Sequence, residues 1–125
     1  MAYTFPSVEL SAAPDSADTS KKYELGALGR TETGNIYRYV QVDVSDAVDW
    51  AAGHPVYIVY AGDSYECSAD LSDAGTSGTG TNAAGIATAT VDVSAYTDGT
   101  DTVYQWIQVA GSAAVTLHDG TAVTN

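Results

Sequence analysis

Short apolar runs that alternate with polar residues, separated by turn-forming residues, dominate this chain from Tyr23 onwards. In the run 36–44, Ile36, Val40, Val42 and Val44 share one face, which only Arg38 interrupts, while the intervening residues point the other way. A β-strand has this period of two, whereas a helix does not. The sequence therefore predicts an all-β fold, as a small β-barrel, β-sandwich or β-tulip.

Turn signals place the other expected elements. Further strands are predicted at residues 23–27, 56–60, 65–67, 87–93, 103–110 and 113–117. The residues Thr33-Gly34-Asn35 indicate a hairpin between 23–27 and 36–44. The stretch 45–55 favours one short helical insert, because a capping serine and acidic residues open it and Gly53 and Pro55 close it. Residues 68–84, rich in Asp, Ser, Thr and Gly, predict a long surface loop.

The length of 125 residues predicts a single β domain, which we assign to residues 23–125. Residues 1–22 are mostly polar and turn-forming, so we expect an extended N-terminal arm there. Such an arm can stay disordered until a partner surface receives its apolar anchors. The candidate anchors are Tyr3, Phe5, Val8 and Leu10.

The chain is strongly acidic, with 16 Asp and Glu against 4 Lys and Arg and a net charge of -12. Nucleic acids and anionic lipids are bound mainly through Lys and Arg, so neither is an expected partner. No apolar run reaches the roughly 18–20 residues that span a bilayer. Because the first residues also lack the features of a secretory signal, we expect a chain that is made in the cytoplasm and not processed.

The residues that usually carry catalysis are scarce and isolated. Cys67 is the only cysteine, which excludes an intrachain disulfide, and His54 and His118 are far from metal-ligand spacing. No Gly-x-Ser-x-Gly nucleophile motif is present, and the glycine-rich stretch 75–80 lacks the lysine of a phosphate-binding loop. We therefore predict no enzyme activity, no catalytic residue and no cofactor.

Four carboxylates near the long loop could gather around a calcium ion: Asp63, Glu66, Asp70 and Asp73. Their spacing lacks the alternating ligands, central glycine and terminal glutamate of an EF-hand. A solvated acidic loop is the favoured interpretation, so no metal site is predicted, and calcium binding stays open.

Tyrosine and tryptophan dominate the aromatic residues, with nine Tyr and two Trp against one Phe. Rings with a polar group suit half-wet surfaces such as subunit contacts or sugar platforms. Tyr104 and Trp106 share one strand face, and Val103 and Ile107 share the other. A strand that is apolar on both faces lies either in the core or at an interface, and the pattern leaves both open. The subunit-interface candidates are Tyr37, Tyr39, Tyr104 and Trp106.

Five short motifs follow one another along the chain: Tyr23-Glu24-Leu25-Gly26, Gly34-Asn35-Ile36-Tyr37-Arg38-Tyr39-Val40, Gly53-His54-Pro55-Val56, Gly85-Ile86-Ala87 and Trp106-Ile107-Gln108-Val109-Ala110-Gly111. As an ordered set spanning Tyr23 to Leu117, they resemble small virion proteins of tailed bacteriophages, of the head-decoration or capsid-stabilising (cement) kind. The long loop 68–84 and the extreme acidity depart from that pattern.

The resemblance implies a β-rich subunit on the exterior of the virion, often a homotrimer, at junctions of the major capsid protein lattice. It also implies that the N-terminal arm, and with it the four anchors named above, contacts that lattice. The hypothesis is thus a non-enzymatic structural protein, made in the host cytoplasm, that decorates and stabilises a phage capsid. The alternatives are a tail or neck structural protein and a carbohydrate-binding β module that uses Tyr57, Tyr60, Tyr65 or Trp106 as its platform.

Overall fold

The computed structural model describes residues 7–59, 65–70 and 83–112 of the chain. These residues form an all-β fold, and the one helical element among them is a 3-10 turn at Val93–Ala95. The strands are β1 (Ser7–Glu9), β2 (Leu28–Arg30), β3 (Ile36–Val42), β4 (Pro55–Ile58), β5 (Glu66–Ser68), β6 (Ala83–Ala87) and β7 (Tyr104–Ala110).

Five of the strands close into a barrel in the order β3-β5-β4-β6-β7, because β7 also pairs with β3. The β3–β7 ladder is antiparallel and runs from Ile36↔Ala110 to Gln41↔Tyr104. The strands β2 and β1 extend the sheet beyond β3, with β2 antiparallel to β3 and β1 parallel to β2. Closure pairs each of the five ring strands on both sides, and among the strands that the structure describes the sheet ends at β1.

The barrel interior is the larger of two hydrophobic cores. It is filled by Val40 and Val42 from β3, Ile107 from β7 and Trp50, all at most 1 % exposed. Side chains alternate across a strand, so Tyr37 and Tyr39 of β3 and Tyr104 and Trp106 of β7 face outwards and belong to the second core. The β3–β7 pair is therefore apolar on both faces and buried on both.

Several strands predicted from the alternating pattern are confirmed, and they surround the two cores. The hairpin at Thr33-Gly34-Asn35 joins β2 to β3. The strand predicted at 23–27 is wrong, since β2 lies at Leu28–Arg30. The chain turns there instead, because Gly26 has φ +88° and the Ala27 N–H donates to the Glu24 carbonyl. The predicted pairing of 56–60 with 65–67 is present as antiparallel β4 and β5. The run predicted at 103–110 forms β7, and a turn with Gly99 at φ +80° precedes it.

The predicted helical insert at 45–55 is wrong. This segment forms turns and an isolated bridge, in which Trp50 pairs with Val91. The expected left-handed residue is nevertheless Gly53, with φ +87°. The indole of Trp50 is fully buried in the barrel, and this burial determines the backbone path more strongly than local helix signals do.

The strand predicted at 87–93 is displaced, since β6 ends at Ala87. After Ala87, the backbone of Thr88 and Ala89 pairs with the side-chain amide of Gln105 instead of with a neighbouring strand. Its Oε1 accepts hydrogen bonds from the backbone N–H of Thr88 at 2.9 Å and of Ala89 at 3.2 Å, and its Nε2 donates to the Ala89 carbonyl at 3.3 Å. Gln105 is fully buried, so these bonds satisfy groups that water does not reach.

Two predicted elements fall largely or wholly outside the described residues. They are the centre of the loop 68–84, at residues 71–82, and the strand 113–117. In the described part of the chain, no helix has the length and apolar character needed to cross a membrane.

We predict that Gln105→Leu lowers the free energy of unfolding by at least ~2 kcal/mol, because each buried backbone group that loses its partner costs roughly 1–3 kcal/mol. Urea denaturation of the two proteins measures the difference. Gln108→Leu is the matched control, since the Gln108 amide donates to the carbonyls of Ala110 and Ser112 at an exposed position. Equal stability of the Gln105 variant and wild type would contradict this role.

Candidate functional site

The outer face of the β3–β7 pair carries a cluster of aromatic rings, which we call the aromatic face: Tyr37, Tyr39, Tyr104 and Trp106. Tyr39 is its centre. Its ring lies 5.0 Å from the ring of Trp106 and is stacked at 5.9 Å on that of Tyr104. Tyr23 adds a perpendicular contact with Tyr39 at 5.2 Å. Edge-to-face and offset-stacked pairs of this kind are favourable beyond the area that they bury.

The chain itself covers the aromatic face. Four partly buried side chains from the N-terminal side pack against it: Val8, Leu10, Tyr23 and Leu25. The four rings of the face are consequently only 0–9 % exposed. Sequence analysis left core and interface open for Tyr104 and Trp106, and in the folded chain all four interface candidates are core residues.

The N-terminal region predicted as an extended arm is docked on the domain over the part that is described. Residues 7–9 form β1, and Asp18 makes a backbone bridge to Tyr104. The anchors Val8 and Leu10 therefore contact the chain's own aromatic face. Tyr3 and Phe5, the other two anchors, lie outside the described residues, and capsid contact by the arm stays a prediction.

A small polar network fastens this region to the barrel. The Tyr39 hydroxyl donates to Oδ2 of Asp18 at 2.8 Å and accepts from the Lys22 N–H at 3.3 Å. Lys22 Nζ lies 3.0 Å from Oδ1 of the same carboxylate. Burial, with the Asp18 carboxylate adding to it, raises the pKa of Tyr39 well above its usual range. Tyr39 is therefore a neutral hydrogen-bond donor at physiological pH.

A second candidate is an acidic cleft of about 370 Å³ at one end of the barrel, between β3, β5 and the turn 98–101. It is lined by the carboxylates of Asp43, Glu66, Asp98 and Asp101. Burial raises the pKa of Glu66, and the charges of Asp43 and Asp98 raise it further. The carboxylates also have structural roles, because Asp43 accepts from Ser45 and Asp101 from the backbone N–H of Thr97.

The acidic residues that the sequence grouped around a possible calcium ion are only partly described. Glu66 lines the acidic cleft, Asp70 lies beyond β5, and Asp63 and Asp73 are outside the described residues. A search of residues 7–59, 65–70 and 83–112 finds no group of three or more metal-ligating side chains.

Cys67 and His54 are the described residues of the types that most often carry covalent and acid–base catalysis. Cys67 is fully buried in the barrel interior. Burial, with a smaller contribution from the Glu66 charge, raises the pKa of the Cys67 thiol to about 12. His54 is half-buried before β4, and His118 lies outside the described residues. The geometry around Cys67 supports a packing role rather than covalent chemistry.

The rings proposed as a sugar platform are not displayed together on the surface. Tyr57 and Trp106 are only 5 % and 6 % exposed. Tyr65 is half-buried, lies against Gly26 and has the Arg38 guanidinium 5.2 Å from its ring centre. Tyr60 lies outside the described residues. A stacking platform needs exposed ring faces, which the described members of this set lack.

Sequence analysis missed Asp18 and Gly29 as parts of the aromatic face. Asp18 sits in a polar stretch that reads as solvated, and its role depends on the distant Tyr39 hydroxyl. Gly29 lies under Leu10 and Trp106, and a glycine inside a strand is the one local signal that another group approaches closely there.

Comparison with protein-family models, with curated proteins and with solved structures finds no significant match to this chain.

Native Cys67 is expected to resist thiol reagents. A rise of the pKa from 9.0 to about 12 lowers the thiolate fraction at neutral pH on the order of a thousandfold, and burial slows access further. Labelling with Ellman's reagent, with and without guanidinium chloride, measures the difference. Ser112→Cys supplies an exposed thiol as the control, and equally rapid labelling of native Cys67 would overturn the packing role.

Glu66→Gln is expected to raise the melting temperature at pH 7. The folded-state pKa of Glu66 is raised, so its ionisation lowers stability as the pH rises through that pKa. The gain should therefore shrink on acidification and vanish below the ordinary pKa of about 4.5. Glu32→Gln, an exposed glutamate in the β2–β3 turn, controls for the loss of one negative charge. A gain that is equal at both pH values, or shared by the control, would refute the assignment.

Proposed function

We propose that this chain is a non-enzymatic structural protein of a tailed-phage virion, which decorates the exterior of the capsid and stabilises it. Its partner is the major capsid protein lattice, and a homotrimer is the favoured assembly. The observation that supports this most is the N-terminal region. The described part of this region lies outside the closed barrel and begins with the edge strand β1. Two further apolar anchors, Tyr3 and Phe5, precede β1 in the sequence.

A closed barrel with an added edge strand suits attachment to a lattice. The five-stranded ring satisfies its own backbone hydrogen bonds, so it stays rigid when it meets a partner. Among the described strands β1 pairs with β2 alone, and an extended segment of a neighbour can join its other edge by β-strand addition. A cementing subunit requires a rigid barrel and a strand edge that can pair with a neighbour.

The acidic groups support a structural role rather than a catalytic one. Asp49 accepts from the backbone N–H of Val93, Asp92 from that of Ser94, and Asp46 from the Ser68 hydroxyl. These carboxylates fix loops at the ends of the barrel. The net charge of -12 keeps free subunits apart before assembly, since like charges repel at long range.

Stabilisation of a shell by such a subunit follows from repetition. Each copy needs only modest affinity, because contacts repeated around a lattice add up through multivalency. A few buried apolar anchors per copy provide this affinity, at ~1.5–3 kcal/mol for each fully buried large side chain.

Purified protein mixed with undecorated phage shells should bind with a fixed number of copies per shell, counted by sedimentation and located by cryo-electron microscopy. The double variant Tyr3→Ala/Phe5→Ala should weaken binding at least ~10-fold, since each anchor contributes more than 1.4 kcal/mol when buried. Val109→Ala is the matched control, because Val109 is the exposed large apolar residue of the described chain.

Two outcomes would refute the proposal. One is the absence of saturable binding to shells, and the other is density for this chain in the tail of the native particle. Equal loss of binding in the Val109 control would refute the role of the arm alone.

A further inference from the structure

Leu10 occupies a notch that exists because residue 29 is a glycine. A Cβ atom on Gly29 would lie 2.8 Å from Leu10 Cδ1, closer than real Cβ contacts, and 3.0 Å from Trp106 Cζ3, which is tighter than most of them. Gly29 does not have a positive φ, so its backbone conformation suits any residue. The glycine therefore provides space, and the Leu10 side chain fills it against the Trp106 ring.

The strap, which we define as residues 7–10, is held by few interactions. Its backbone makes three residue pairs with β2, and Leu10 N–H donates to the Arg30 carbonyl at 2.8 Å. Val8 and Leu10 pack on the aromatic face, and neither belongs to the barrel interior. Removal of the strap thus leaves every barrel ladder intact.

A hinge joins the strap to the barrel. It comprises residues 11–16, five of which are exposed, and none of the six takes part in a hydrogen bond with another described residue. Ala17, which packs against the barrel interior, and Asp18 mark its fixed end. Asp18 has backbone hydrogen bonds to and from Tyr104 at 2.7 and 2.8 Å. Six extended residues span roughly 20–22 Å, which is enough to carry the strap to a neighbouring molecule.

We propose that the strap exchanges between copies of this chain, so that the strap of one copy pairs with β2 of a second copy and places its Leu10 in that copy's Gly29–Trp106 notch. The strap of a second copy fits this notch in the same way as the chain's own strap, because the two copies have identical straps and identical notches. Exchange of one element between protomers re-forms the same contacts and is a low-cost route to oligomers.

The balance between the closed and exchanged forms depends on concentration. A short flexible tether holds the strap near its own notch at an effective concentration on the order of millimolar. Copies held side by side on a shared surface reach a similar local concentration, so exchange becomes favourable there. The inference concerns contact between copies and does not depend on the capsid as the surface.

The test uses two complementary full-length variants. The recipient, Leu10→Ala, has an intact notch and a truncated anchor. The donor, Gly29→Ala, has an intact strap and a filled notch, since the new Cβ displaces the flexible end of Leu10. Unlabelled donor is titrated into ¹⁵N-labelled recipient, and the Gly29 amide and the Trp106 indole report on the notch. The Trp50 indole, buried inside the barrel, is the internal reference.

We expect the Gly29 and Trp106 signals to move and saturate with a Kd below about 1 mM, while Trp50 stays unchanged. A strap that docks on its own chain at an effective concentration on the order of millimolar must bind with a Kd below that concentration. The double variant Leu10→Ala/Gly29→Ala is the control donor and should cause no movement. If Leu10→Ala unfolds the recipient, Leu10→Val, which shortens the same anchor by less, serves in its place. Unmoved signals at about 1 mM donor, or equal movement with the control donor, would overturn the exchange.

Discussion

The pairing of β3 with β7 is the interaction on which the rest of this structure depends. These are the two seven-residue strands, and their ladder closes the barrel. Because both faces of the pair are apolar, other parts of the chain have to pack against each face. The remaining barrel strands cover the inner face at Val40 and Ile107, and the N-terminal region covers the outer face at Tyr39 and Trp106. Folding of the barrel therefore creates the surface on which residues 7–25 dock.

The choice of tyrosine on the outer face follows from its position between core and water. A phenylalanine at residue 39 would bury a similar area but would leave Asp18 without its 2.8 Å hydrogen bond. The hydroxyl fixes the point where the chain turns onto the barrel, and the residues before Asp18 are held only by the short β1 ladder and apolar packing. Stability is thus graded along the N-terminal region, from firm at Asp18 to weak at the strap.

The sequence predicted the faces of the strands better than their partners. Ala87, Ala89, Val91 and Val93 are all buried, as their alternation indicated, yet only Ala87 belongs to a strand. The backbone of Thr88 and Ala89 pairs with the Gln105 side chain. No local sequence pattern predicts that a glutamine side chain forms these hydrogen bonds in place of a strand. The helix prediction failed for a similar reason, since its capping signals are local and the burial of Trp50 is not. For the candidate site, the tyrosine and tryptophan pattern identified the aromatic face, but its cover comes from residues that look solvated in the sequence.

Among the described strands, β1 is the one at which the sheet ends, since β2 is its single partner there. The strands of the closed ring are each paired on both sides, and nearby carboxylates hold the adjoining loops. The exposed Glu9 on β1 carries a charge that disfavours uncontrolled pairing between free subunits of the same sign. Repulsion of this kind is screened by salt and is outweighed by a specific apolar contact. In the exchange proposed above, Leu10 makes that contact in the notch beside β2, so selectivity for a partner strap arises from Gly29 and Trp106 rather than from the charge at β1.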